Sequence, residues 1–109
     1  DERLFFGNTR SVLEHLNTEL ARQPQVQHVV LILSAVNSID LSAQLMLEEL
    51  NRNLHDRQIT LHLAEVKGPV MDAIAHSPAI KHLKGQVFLS TLDAVNQLKP
   101  RLLDPEYHL

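Results

Sequence analysis

The stretch Val29-Val-Leu-Ile-Leu-Ser-Ala-Val-Asn-Ser-Ile-Asp-Leu-Ser-Ala43 decides the reading of the whole chain. It opens with five consecutive apolar residues, Val29 to Leu33, three of them β-branched. A short apolar run of this kind reads as a central strand of a parallel sheet, buried on both faces. The run breaks at Ser34, Asn37 and Ser38, whose side chains bond their own backbone in turns. From Leu41 the period becomes helical, with Ala43, Met46/Leu47, Leu50 and Leu54 on one face. A buried strand thus feeds a polar loop, and the loop feeds a helix whose start carries Asp40 and Ser42.

The same alternation extends in both directions. Asn8 is a candidate N-cap for a helix in which Val12/Leu13, Leu16 and Leu20 recur, and Pro24 forbids its continuation. Ile59-Thr-Leu-His-Leu-Ala64 alternates and is rich in strand formers. Gly68-Pro69 opens a third helix with Val70, Met71, Ile74 and Ala75 on its apolar face, and Ser77-Pro78 stops it. A short helical piece around Ile80 to Leu83 is expected to end at Gly85. Gln86-Val-Phe-Leu89 reads as the last strand, and Ser90-x-x-Asp93 has capping-box spacing before Ala94, Val95 and Leu98. Strand–helix alternation repeated in this way implies an α/β fold: a small, mainly parallel sheet with helices packed on it.

The stretches "LFFGN" (Leu4 to Asn8), "LILSAVNSIDLSA", "LHLAEVKGPV" and "VFLSTLDAV" resemble, in order, the STAS domain at the cytoplasmic C-terminus of SulP-type anion (sulfate) transporters. The more distant resemblance is to anti-sigma-factor antagonists, in which the serine two residues after the matching aspartate is phosphorylated. Those relatives have a second serine and a glycine where this chain has Leu41 and Ala43, which favours the transporter branch. The resemblance implies one STAS domain over residues 1–100 and a tail over 101–109. Asp1-Glu-Arg-Leu-Phe-Phe6 reads as the end of a strand, and the resemblance implies that this strand begins upstream, with a membrane domain before it. The implied role is a regulatory module on the cytoplasmic side of the plasma (inner) membrane, contacting its own transporter membrane domain or a cytosolic protein. The alternative is a free-standing antagonist switched by phosphorylation of Ser42.

Composition agrees with a small module. One hundred and nine residues, 44% hydrophobic and 21% charged, suit one globular domain. A net charge of −3 without a basic run argues against a nucleic-acid partner. With no cysteine there is no disulfide scaffold or thiolate metal site. No run approaches the roughly 18–20 apolar residues of a membrane span, so the isolated domain is expected to be soluble and not to insert by itself.

In doubly wound sheets the functional crevice lies beyond the carboxyl ends of the strands. Here that edge is expected to gather the loops Ser34 to Asp40, Glu65 to Pro69 and Ser90-Thr91. Ser42 falls in a first helical turn, where free N–H groups and the helix dipole favour a phosphate or a bound anion; the plainer reading is Asp40 as N-cap and Ser42 as a small residue beside it. Asn37 and Ser38 offer a partner contact. Val36 and Leu41, apolar beside a polar loop, either join that contact or cap the core. The seven histidines show no His-x-x-x-His pair and predict no metal site. No Gly-x-Ser-x-Gly elbow or Gly-Lys-Ser/Thr loop is present, so neither an enzyme nor a cofactor is expected.

Overall fold

The computed structural model describes residues 9–98. The strand end read at Asp1–Phe6, the cap at Asn8 and the tail lie outside the described residues, as do the side chains of Val12 and Leu13. In chain order the elements are α1 (Thr9–Arg22), β1 (His28–Ile32), α2 (Leu41–Asp56), β2 (Thr60–Ala64), α3 (Gly68–Ile74), α4 (Pro78–Lys81), β3 (Val87–Phe88) and α5 (Thr91–Leu98). The sheet has the order β1-β2-β3, parallel throughout, with Leu31 opposite Leu63 and Ala64 opposite Phe88.

Period-two alternation along β1 divides its side chains between two apolar layers. Val29, Leu31 and Leu33 join Leu61 and Leu63 under α1 and α2, with Val70, Ile74 and Ala79 completing that cluster. Val30, Ala64 and Phe88 point the other way and are covered by Ala94 and Leu98 of α5. This explains why Val29–Leu33 is apolar without interruption: both faces are buried.

Helix α2 follows its sequence pattern. Ala43, Met46, Leu47, Leu50 and Leu54 are buried, and each fully buried leucine contributes about 1.5–3 kcal/mol. At its end Gln58 adopts the left-handed conformation, with φ 62°. Its N–H donates to the His55 carbonyl at 2.9 Å, and the Ile59 N–H donates to the Leu54 carbonyl at 2.8 Å. This is a Schellman closure built on Gln instead of Gly, and it turns the chain straight into β2.

Two local expectations are corrected. The short helix begins at Pro78, two residues before Ile80, because Pro is suited to the first helical turn. Gly85 does not end it through a left-handed residue; a Cβ there would lie 2.0 Å from the Leu61 carbonyl oxygen, so glycine lets the chain approach β2. The last strand is also shorter than Gln86–Leu89. Only Val87 and Phe88 pair, because the chain then turns to start α5 and leaves Leu89 89% exposed.

The packing can be tested on one helix. Leu50→Ala should lower the unfolding free energy by about 2–5 kcal/mol. Leu45→Ala, at a position 55% exposed, should change it by less than about 0.5 kcal/mol. Urea denaturation of both variants checks this, and similar losses would mean the helix is rotated about its axis.

Candidate functional site

The carboxyl ends of the strands form one edge, and the loop after β1 builds its first part. The Val36 N–H donates to the Leu33 carbonyl at 3.0 Å, and this turn sends the Val36 side chain inward. At 0% exposure Val36 caps the core and cannot meet a partner, which corrects its place among the surface candidates. Asn37 and Ser38 are exposed and Ile39 is buried. Asp40 is the N-cap of α2: its backbone is extended, and Oδ1 accepts the Ala43 N–H at 2.8 Å. Ser42 is exposed in the first turn. Leu41 is 68% exposed, so it does not cap the core and stays on the surface beside Ser42.

Two contacts tie the neighbouring loops into this edge. The Lys67 ammonium donates to Asn37 Oδ1, joining the loop after β2 to the loop after β1. Glu65, one residue beyond β2, reaches the other way: its Oε2 accepts the Thr91 N–H at 2.7 Å and the Thr91 hydroxyl at 3.0 Å. Ser90 Oγ accepts the Asp93 N–H at 3.0 Å, one half of the capping box the spacing predicts. Thus Glu65 and Ser90 together satisfy donors at the start of α5. The two bonds from Thr91, the backbone one foremost, hold the Glu65 carboxyl below its ordinary range, against a smaller opposing effect of burial.

Glu65 makes this contact with φ 61°, a conformation a residue with a Cβ adopts only when its surroundings enforce it. The neighbouring pairing of Ala64 with Phe88 and the Thr91 bonds provide that enforcement. Reading the sequence finds Asp40, Ser42 and the loop they belong to but misses Glu65, Lys67 and Thr91 as connectors. Their signal exists only once β2 is known to lie between β1 and β3. Glu65 is then an acid at a strand end facing the hydroxyl-rich start of the next helix.

Among the described residues no group of three or more His, Asp or Glu side chains is placed to hold a metal. His82 lies 3.8 Å from Glu48 of α2, and His28 and His62 pair within the sheet at 3.0 Å. The cleft lined by Asn17, Met46, Glu49, Leu50 and Asn53 brings together no nucleophile and base. The edge offers exposed amide, hydroxyl and apolar groups on a cross-linked frame.

The profile of the STAS domain matches residues 1–95. The chain belongs to the STAS domain family. It is 31% identical over 115 residues to "Sulfate transporter 1.3" of Arabidopsis thaliana, an alignment covering 95% of this chain and 17% of that protein. It is 30% identical over 112 residues to "High affinity sulfate transporter 2" of Stylosanthes hamata, covering 93% of this chain and again 17% of the relative. This STAS domain therefore corresponds to a minor part of proteins several times longer. No helix among its described residues is long and apolar enough to cross a membrane.

Two substitutions probe the frame of this STAS domain. Asp40→Ala should destabilise it by about 0.5–2 kcal/mol through loss of the cap, read by denaturation. Glu65→Gln carries a pH signature. A carboxyl held lower in the folded than in the unfolded state stabilises above its ordinary range, near 4.5, and loses that contribution as pH falls through it. The stability gap between wild type and Glu65→Gln should therefore shrink between about pH 7 and about pH 3.5. A constant gap in acid unfolding would mean that charge plays no part in holding Thr91.

Proposed function

We propose that this STAS domain is the regulatory part of a SulP-type anion transporter, sulfate being the anion its relatives' names suggest. In this reading residues 1–100 form the domain and 101–109 a tail. The domain lies on the cytoplasmic side of the membrane and modulates transport by contact with the membrane domain or a cytosolic protein. It performs no chemistry of its own. The observation that carries this reading is the strand-end edge itself. Asn37 and Ser38 project from the loop after β1 and Leu41 and Ser42 from the first turn of α2, beside loops held in place by the Lys67–Asn37 and Glu65–Thr91 contacts, so a docking event there meets a rigid frame.

A second reading is supported by one feature. Ser42 is exposed in the first turn of α2, beside the Asp40 cap, the place where an antagonist-type switch would be phosphorylated. Leu41 and Ala43 on either side of it and the sulfate-transporter relatives weigh toward the transporter.

The test is anion uptake by the intact transporter carrying this domain, normalised to protein at the membrane. Leu41→Ser, Ser38→Trp and Ser42→Trp change exposed positions, so folding should be preserved. Uptake should fall about fivefold or more, the lower end of ordinary coupling between sites. Unchanged uptake in all three would remove this edge as the regulatory surface. Full uptake by Ser42→Ala together with phosphate incorporation only into wild type would favour the switch reading.

A further inference from the structure

A pair of histidines inside the sheet is used by nothing described so far. His62, in the middle of β2, is 3% exposed. Its Nδ1 accepts the backbone N–H of Gln86 at 3.0 Å, and its Nε2 lies 3.0 Å from Nδ1 of half-buried His28. The ring centroids of His28 and His62 are 5.2 Å apart, and Phe88 of β3 lies 5.5 Å beyond His62 on the same face.

These contacts fix every ring proton. A backbone N–H can only donate, so His62 Nδ1 holds a lone pair and its proton sits on Nε2. That Nε2–H donates to His28 Nδ1, and the His28 proton is therefore on Nε2. An added proton can enter only at an occupied acceptor. On His28 Nδ1 it would set two N–H groups head-on; on His62 Nδ1 it would face the Gln86 N–H. The first breaks the bond between the two rings, and the second breaks the bond to the Gln86 backbone.

We infer that the His28–His62 pair is a proton-sensitive latch, closed while both rings are neutral, that holds the β3–α5 corner onto the sheet. Among the described residues the other ties of the corner are few: the Leu63 N–H bond to the Gln86 carbonyl at 3.0 Å, pairing at Val87 and Phe88, the Thr91 bonds to Glu65, and the packing of α5 on Phe88, Val30 and Ala64. Release of Gln86 therefore loosens β3 first and then the start of α5, where Thr91 meets Glu65. Among the described residues, the charged groups on the elements meeting here are Lys84, Glu65 and Asp93. Lys84, two residues before Gln86, adds a like charge to an imidazolium. Glu65 lies three residues along the strand, about 10 Å, and is engaged by Thr91. Asp93 sits in the first turn of α5, at the strand-end edge, whereas His28 opens β1.

The sign follows from linkage. A histidine kept neutral in the folded state stabilises above its unfolded titration range, near pH 6.5, and loses that stability as pH falls below it. The measurement is hydrogen exchange of the Gln86, Val87 and Phe88 amides in the 109-residue chain, corrected for intrinsic rates, with ring ¹⁵N spectra of the histidines. Opening at these amides should increase about tenfold per pH unit per proton taken up below about pH 6.5. His62→Gln, whose amide can accept from Gln86 and donate to His28 without titrating, should remove most of that slope. If His62→Gln does not fold, the wild-type ring spectra decide alone: His62 should remain the Nε2–H tautomer until the Gln86 amide opens. The latch is overturned if either ring takes up a second proton while Gln86 stays protected, or if a folded His62→Gln keeps the full slope.

Discussion

The sheet depends on residue 85 having no side chain. β2 is the central strand, and both of its edges need hydrogen-bonding partners. β1 supplies one edge over five residue pairs. The other edge is reached only because the chain at Gly85 passes so close to Leu61 and His62 that a Cβ would sit 2.0 Å from one carbonyl oxygen and 2.6 Å from one ring nitrogen. That approach delivers Gln86 to both groups it serves, its N–H to His62 and its carbonyl to the Leu63 N–H at 3.0 Å. Any larger residue would push β3 off the edge and take Phe88 and α5 with it.

From there the constraint runs to the strand ends. With β3 in register, Ala64 lies opposite Phe88, and the residues just beyond them, Glu65 and the Ser90-Thr91 turn, come within bonding reach. The left-handed Glu65 backbone is tolerated because its carboxylate gains two donors there. Lys67, two residues on, carries the frame back to Asn37. The edge is therefore built from β2 outward, and its shape is a consequence of how the central strand is paired.

This accounts for what can be read in the chain and what cannot. The strand at Val29, the register of α2 and the Asp40 cap are local facts: apolar period and capping chemistry suffice, and the structure has Leu50 and Leu54 buried and Asp40 bonded to Ala43. The Schellman turn at Gln58 is hidden because the residue expected in a left-handed C-terminal position is Gly, and the role of Gly85 is hidden for the converse reason, since a Gly after a helical piece suggests a terminator. Val36 and Leu41 look alike in sequence, both apolar beside a polar loop. A single turn closed by Val36 N–H onto Leu33 sends one inward and leaves the other out. Glu65–Thr91 and His28–His62 are long-range pairs, visible only when the strand order is known.

The start of α2 does not look chosen for the stability of the helix alone. A first turn gains from Asp or Glu, by roughly 0.3–1 kcal/mol near the positive end of the dipole. The first turn of α2 carries none, and Leu41 and Leu45 lie 68% and 55% exposed. Leu89 and Leu92, at the corner leading into α5, are likewise exposed at 89% and 68%. A polar residue at any of these positions would serve the isolated fold as well. Single exposed leucines are common on protein surfaces, so each alone says little. Their concentration near helix starts and strand ends sets them beside the edge to which we assign the docking role, where local choices that disagree with stability are expected. Asp40 already supplies the helix with its cap, which leaves Leu41 and Ser42 available for a contact outside the domain.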